Sequence, residues 1–221
     1  LPALVGVLVL VVFVRERKKL VSETTEPKPL PRFTLAGLSP DYRRFLMIVG
    51  LFGLGNSSDA FLLLRAQGMG VSPVHMLLLY AMFNAVEAVL AYAAGNLSDR
   101  VGRRPLIALG WGIFAVVYLG FALLSSPAAA WILFTVYGLY YTLTQGTQKA
   151  LAADLAHPER RGMEIGAFHL LVGVSALPAS LLAGLLYSKV SPSAPFYVGA
   201  ATAALSALLL WGSQRKTDRP S

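Results

Sequence analysis

The sequence predicts an all-α membrane protein with six transmembrane helices, arranged as two sets of three. Only 14% of the 221 residues are charged and 56% are hydrophobic, whereas a soluble domain has about 25% charged residues. Long uncharged stretches recur along the chain, and nearly all Lys and Arg residues fall between alternate stretches. This pattern argues against a water-soluble enzyme and indicates a chain whose solvent is lipid.

The first element is the apolar stretch 1–14, which at a rise of 1.5 Å per residue reaches only about 21 Å. Its basic residues follow the stretch, whereas a secretory signal peptide has them before it, and no initiating Met precedes it. We therefore expect residues 1–14 to be the end of a truncated transmembrane helix, in a chain cut from a longer one. Alternating prolines within residues 15–42 predict an extended linker.

Six stretches then follow that are each long enough to cross about 30 Å of hydrocarbon as a helix. Ser and Pro residues at 125–127 and 191–193 separate neighbouring stretches. The predicted spans are 43–66, 74–95, 106–126, 128–150, 163–187 and 194–212, in a bundle that covers 43–213 and precedes a tail at 214–221. Polar content falls from the first to the third span and falls again from the fourth to the sixth, which favours a three-plus-three inverted repeat.

Lys and Arg are retained on the cytoplasmic side of a membrane. If the linker is cytoplasmic, 17 of the 19 Lys and Arg residues lie on that side, and only Arg65 and Lys189 lie outside. This distribution accounts for the net charge of +8 without a nucleic-acid partner, and it makes the lipid bilayer the expected surrounding of the chain. Because the chain has no Cys, it has no disulfide framework and no Cys-based metal site, and no metal is expected.

Two motifs lie at the predicted cytoplasmic side. From Gly95 to Arg104 the sequence reads G-N-L-S-D-R-V-G-R-R, which resembles motif A of the major facilitator superfamily. From Asp154 to Gly162 it reads D-L-A-H-P-E-R-R-G, which is similar to the stretch before the fifth helix of the C-terminal half in bacterial members. The resemblance implies the C-terminal half of a twelve-helix transporter in a bacterial plasma (inner) membrane, with a missing N-terminal six-helix half as its partner.

Within the first motif, Gly95 and Gly102 permit close backbone approach and positive φ, and Asp99 can pair with Arg103 or Arg104. Two interpretations of this motif remain: a charged latch, or a basic loop that only fixes the topology. The residues assigned to the latch are Gly95, Asp99, Arg100, Gly102, Arg103 and Arg104, and those assigned to the second loop are Asp154, Arg161 and Gly162.

Two carboxylates inside the predicted spans are candidates for proton coupling. Glu87 lies well within its span, where a carboxylate is costly unless it is paired or protonated, and Tyr80 and Asn84 share its helical face as possible partners. The alternative is a buried glutamate that stays neutral or paired. Asp59 lies near the outer end of its span, where it either pairs with Arg65 or takes part in coupling.

The fourth predicted span carries a polar stripe without charge. Its hydroxyls and amides suit a polar or amphipathic solute in a water-filled cavity, although hydrogen bonds between helices are an equal alternative. The candidates for the solute cavity are Asn56, Asn84, Tyr137, Tyr141, Thr144, Gln145 and Gln148.

The favoured function is therefore secondary active transport of a small solute by alternating access, coupled to H+, in a permease or efflux transporter. No hydrolase, zinc-protease or nucleotide-binding signature occurs in the sequence, so neither an enzyme nor a cofactor is expected. The alternative is a non-transporting membrane interaction or scaffold protein that retains the same fold.

Overall fold

The computed structural model describes residues 37–214, and within them the chain forms helices and no β-strand. The predicted helix end at 1–14, most of the linker and the tail beyond residue 214 lie outside the described residues. The helices are α1 Pro40–Gly55, α2 Ala60–Gly68, α3 Pro73–Val101, α4 Arg103–Leu123, α5 Pro127–Leu155, the short 3₁₀ helix Pro158–Arg160, α6 Arg161–Lys189 and α7 Ala194–Gln214.

Five of the helical segments are long and apolar enough to cross a membrane, if α1 and α2 are counted together. They are Pro40–Gly68, Pro73–Val101, Arg103–Leu123, Pro158–Lys189 and Ala194–Ser213. α5 has 29 residues, which is long enough, but its Tyr, Thr and Gln residues keep it out of this set. The expected all-α membrane bundle is thus confirmed.

Capping residues set several of the helix starts. Ser39 and Ser126 each accept a hydrogen bond from a backbone N–H in the first turn of the helix that follows, and Pro40 and Pro127 occupy the first helical position. Ser is a favoured N-cap and Pro at this position has no N–H to leave unpaired. These ends are therefore determined by local sequence.

Helix packing follows the predicted three-plus-three arrangement. α1 packs against α6 and α7, and α5 packs against α3 and α4. α4 and α7, the third helices of the two sets, pack against each other. The helices α1, α3 and α4 of the first set correspond to α5, α6 and α7 of the second. The contact of α1 with α6 then corresponds to that of α5 with α3, and the contact of α1 with α7 corresponds to that of α5 with α4. Such a match is expected for two related three-helix units.

The core is aromatic and centres on α4, where 61% of the most apolar stretch is buried. Phe52 of α1 stacks on Trp111 with ring centroids 4.7 Å apart, and Phe114 stacks on Tyr118 at 3.9 Å. Such ring pairs contribute about 0.5–1.5 kcal/mol each beyond the area they bury. This core fixes α1, α4 and α5 relative to one another and so positions the candidate site beside it.

Candidate functional site

The first predicted span is interrupted at residues 56–59, between α1 and α2. Just before the break, α1 meets α7 at very close range: a Cβ on Gly55 would lie 3.0 Å from the Cα of Gly199. Only glycine allows two helix backbones to approach so closely. The break makes Asp59 the residue that precedes α2, at the side of the core that faces α5.

Asp59 is bound by two tyrosines of α5. The Tyr137 hydroxyl donates to Oδ1 at 2.7 Å and the Tyr141 hydroxyl donates to Oδ2 at 3.0 Å. Because the two tyrosines are four residues apart, both lie on one face of the helix. The structure thereby joins a carboxylate predicted for coupling to two residues predicted for the solute cavity.

The pairing of Asp59 with Arg65, which was one expectation, is wrong. Arg65 donates from Nε to the Phe121 carbonyl at 2.8 Å and from Nη2 to the Leu124 carbonyl at 3.3 Å. Carbonyl groups at the end of a helix lack partners within it and carry partial negative charge, so they attract a guanidinium group. Within residues 37–214, no basic side chain lies within ion-pair distance of Asp59.

Glu87 lies in α3 and is partly buried. With Tyr141 and Gln145 it lines a cavity of about 250 Å³ between α3 and α5, and it interacts electrostatically with Tyr141. Tyr141 thus contacts Asp59 and also faces the second carboxylate. The amide of Asn84, one expected partner of Glu87, donates instead to the Tyr80 carbonyl in its own helix at 2.7 Å.

The polar stripe of α5 faces two cavities. A cavity of about 150 Å³ lies between α1, α5 and α6; we call it the α1–α6 cavity. The predicted candidates that line it are Asn56, Thr144, Gln145 and Gln148. The other cavity, lined by Glu87 and Tyr141, is the α3 cavity. Gln145 lines both, Tyr137 is fully buried against Asp59, and Asn84 is in the described lining of neither.

The motif that begins at Gly95 is largely helical. α3 continues to Val101 and α4 begins at Arg103, so Gly102 alone connects them. Its φ of 95° and ψ of 150° belong to a region that essentially only glycine adopts. Gly95 lies within α3, where an added Cβ would meet no atom within 4 Å. The expectation of a close backbone approach at Gly95 is therefore wrong within the described residues. The positive φ expected at Gly102 is present.

The charged residues of the two motifs meet. Arg103 Nη1 pairs with Asp154 Oδ2 at 2.8 Å, which ties the start of α4 to the end of α5. Arg103 is one of the two partners expected for Asp99, and it pairs elsewhere; Asp99 is exposed and lines a surface cavity with both members of the pair. Arg104 Nη1 donates to the Ser213 carbonyl at 3.5 Å. Arg100, Arg161 and Gly162 are exposed as well.

A family model described as Major Facilitator Superfamily matches residues 1–178. The chain belongs to the major facilitator superfamily. Its helices and its family make it a multi-pass integral membrane protein, and the family is one of membrane transporters.

Proteins similar to this chain are named as transporters or for export. An uncharacterized MFS-type transporter of Methanocaldococcus jannaschii is 35% identical over 185 residues, which cover 81% of this chain and 46% of that protein. The uncharacterized MFS-type transporter YitZ of Bacillus subtilis is 26% identical over 151 residues, 68% of this chain and 92% of YitZ. The tetracenomycin C resistance and export protein of Streptomyces glaucescens is 32% identical over 111 residues, 50% of this chain and 21% of that protein. The chain thus spans about half the length of the first relative.

Glu164 is a buried carboxylate that the sequence analysis did not single out. It is 1% exposed, its Oε2 accepts from the His157 backbone N–H at 3.0 Å, and its carbonyl accepts from the Tyr42 hydroxyl at 2.6 Å. It ties the start of α6 in this superfamily member both to the preceding turn and to α1. An acidic residue in the first helical turn is the signal that predicts such a contact.

Proposed function

We propose that the chain forms the C-terminal half of a secondary active transporter that moves a small solute by alternating access in exchange for protons. The observation that carries the proposal is the Asp59 carboxylate, held by the hydroxyls of Tyr137 and Tyr141 beside the aromatic core. A carboxylate at membrane depth costs several kcal/mol unless it is hydrogen-bonded, paired or protonated, and such residues mark ion pathways. Here two tyrosine hydroxyls hydrogen-bond the carboxyl group, and no cation lies within ion-pair distance among the described residues.

Proton binding alters the link between α2 and α5. The carboxylate accepts two charge-assisted hydrogen bonds, which are roughly twice as strong as neutral ones. A protonated Asp59 donates through one oxygen and accepts more weakly, so the two tyrosines lose part of their hold. Because α5 also lines both cavities, a shift of α5 changes the solute site, and protonation and solute binding are coupled through one helix.

Glu87 is the second proton-binding residue in this proposal. Tyr141 donates to Asp59 and lies beside Glu87 on the wall of the α3 cavity. A tyrosine hydroxyl both donates and accepts, so Tyr141 is suited to pass a proton between the two carboxylates. Asp59 then lies on the core side of that path, and Glu87 lies on the cavity side.

A second six-helix half is the proposed partner. Only 11% of the most apolar stretch of α3 and 17% of that of α6 are buried, against 61% in α4. Gly162, Gly166 and Gly173 of α6 face open space, although small residues usually permit close packing of membrane helices. We propose that α3 and α6 pack against the N-terminal half, and that lipid covers the remaining apolar surface.

We further propose that the transporter exports small organic solutes across a bacterial plasma (inner) membrane. The support is the similarity to a protein named for tetracenomycin C resistance and export. In this proposal protons enter the cell as the solute leaves, because no nucleotide-binding motif supplies another energy source.

The test uses the intact protein that contains this chain, in everted membrane vesicles with an acidic interior. Added tetracenomycin C should release protons from these vesicles, and a pH-sensitive dye reports the release. We expect Asp59→Asn and Glu87→Gln to abolish this release and gradient-driven accumulation while leaving downhill exchange of the solute. Asp41→Asn is the matched control, because Asp41 is an exposed carboxylate at the start of α1.

Unchanged proton release in both carboxyl variants would contradict proton coupling at these residues. Solute that neither moves nor releases protons through the wild-type protein would instead favour the scaffold alternative, provided that a transporter of known activity works in the same vesicles.

A further inference from the structure

The α1–α6 cavity has basic groups on its wall. Lys149 of α5 and His169 of α6 line it, and no Asp or Glu is among the described residues that do so. Within residues 37–214, no carboxylate lies within ion-pair distance of Lys149. Lys149 is exposed, and its backbone lies about 9 Å along the helix axis from the end of α5.

Acidic groups lie on the opposite side of α5. Glu87 and Asp99 line the α3 cavity, and the basic residue there, Arg103, is paired with Asp154. α5 therefore separates a cavity with carboxylates from a cavity with unpaired basic groups. These charges favour a solute anion in the α1–α6 cavity over the α3 cavity, since unlike charges attract and like charges repel.

The rest of the α1–α6 cavity suits an aromatic ring. Phe52, Tyr140 and Phe168 contribute rings to its wall, and Phe168 contacts the His169 ring edge to face at 5.3 Å. Its volume is about 150 Å³, and an apolar cavity of roughly this size holds one benzene ring in another protein. Asn56, Gln145 and Gln148 add amide donors near the same space.

We propose that the α1–α6 cavity binds an aromatic carboxylate, either a single-ring acid or the carboxylated ring of a larger solute. The carboxylate pairs with Lys149 and receives amide hydrogen bonds from the α5 glutamines, and the ring packs against Phe52 and Phe168. This inference rests on the proposed transport function for its biological role and names the class of solute. The binding step itself requires no pH gradient.

The test measures binding of 4-fluorobenzoate and its neutral amide, 4-fluorobenzamide, to the intact protein in lipid nanodiscs by fluorine NMR. We expect the carboxylate to bind at least tenfold more tightly than the amide. Lys149→Gln should remove most of that preference. Lys189→Gln is the matched control, because Lys189 is an exposed lysine at the far end of α6, and it should retain the preference.

Reversing the charge at position 149 provides a second test. Lys149→Glu should turn the preference toward 4-fluorobenzylammonium, a cation of similar size. Equal binding of carboxylate and amide to the wild-type protein, or a preference that persists in both Lys149 variants, would overturn the inference. If the Lys149 variants lose the preference while Asp59→Asn and Glu87→Gln leave proton release intact, the binding site is supported and proton coupling at these carboxylates is rejected. If the Lys149 variants keep the preference while the carboxyl variants abolish proton release, only the binding site is rejected.

Discussion

The crossing of α1 and α7 at Gly55 and Gly199 should tolerate no side chain. A Cβ on Gly199 would lie 2.9 Å from the Gly55 carbonyl oxygen and 2.5 Å from the Tyr118 ring. The carbonyl belongs to a helix backbone, and the ring is buried and stacked on Phe114, so neither has room to move. Gly199→Ala must therefore push the helices apart.

Two effects of opposite sign set the magnitude. Replacing Gly by Ala within a helix stabilises it by about 1 kcal/mol, whereas overpacking a filled core costs about 1–3 kcal/mol. Gly212→Ala in the same helix isolates the first effect, because an added Cβ there would meet no atom within 4 Å. The free energy of unfolding should therefore be lower in Gly199→Ala than in Gly212→Ala by about 1–3 kcal/mol.

Reversible unfolding in mixed detergent and SDS micelles, followed by circular dichroism, measures both variants under the same conditions. Gly199→Ala should also loosen the helix break that positions Asp59, so tyrosine fluorescence should change with it. Equal unfolding free energies for the two variants would refute the close crossing and with it the position of the break.

Three further predictions use the same unfolding assay. Gly102→Ala should lower the free energy of unfolding by about 1–3 kcal/mol, because the backbone conformation at this position suits only glycine, whereas Gly95→Ala should not lower it. Similar losses in the two variants would argue against the one-residue connection between α3 and α4. Arg103→Asp and Asp154→Arg should each lower the free energy of unfolding, and the double variant, in which the charges are exchanged, should recover that loss. The coupling energy should stay below about 1 kcal/mol, because both side chains are partly exposed. No recovery in the double variant would mean that the ion pair contributes nothing to stability. Tyr137→Phe should lower the free energy of unfolding by about 0.6 kcal/mol and by no more than about 1.7 kcal/mol, the average and the maximum for single hydrogen bonds between membrane helices. A loss within error of zero would place the hydroxyl elsewhere.

Much of the fold follows from local features of the sequence. Hydropathy and the spacing of turns predict the order of the spans, because a helix in lipid satisfies its own backbone and needs only length and apolar composition. Ser39 with Pro40, and Ser126 with Pro127, are local signals for a helix start, and α1 and α5 begin at these prolines.

The candidate site was only partly predictable. The sequence singled out Asp59, Tyr137 and Tyr141 individually as candidates, but the partner that it offered for Asp59 was Arg65, which is six residues away in the chain. The tyrosines are 78 and 82 residues away, and no periodicity within one helix reports a contact between two helices. The charge on Lys149 was likewise assigned to a cytoplasmic end, and only the packing of α1 and α6 shows that it lines a cavity.

The sequence by itself determined that this chain is an all-α membrane bundle with the motifs of the major facilitator superfamily, since both depend on composition and short-range spacing. Tertiary structure alone decided that Arg103 pairs with Asp154, that two tyrosines hold Asp59, and that α5 separates acidic from basic cavities. The physical reason is that hydrogen bonds and ion pairs form between side chains whose distance is set by helix packing, and that packing depends on contacts summed over the whole bundle.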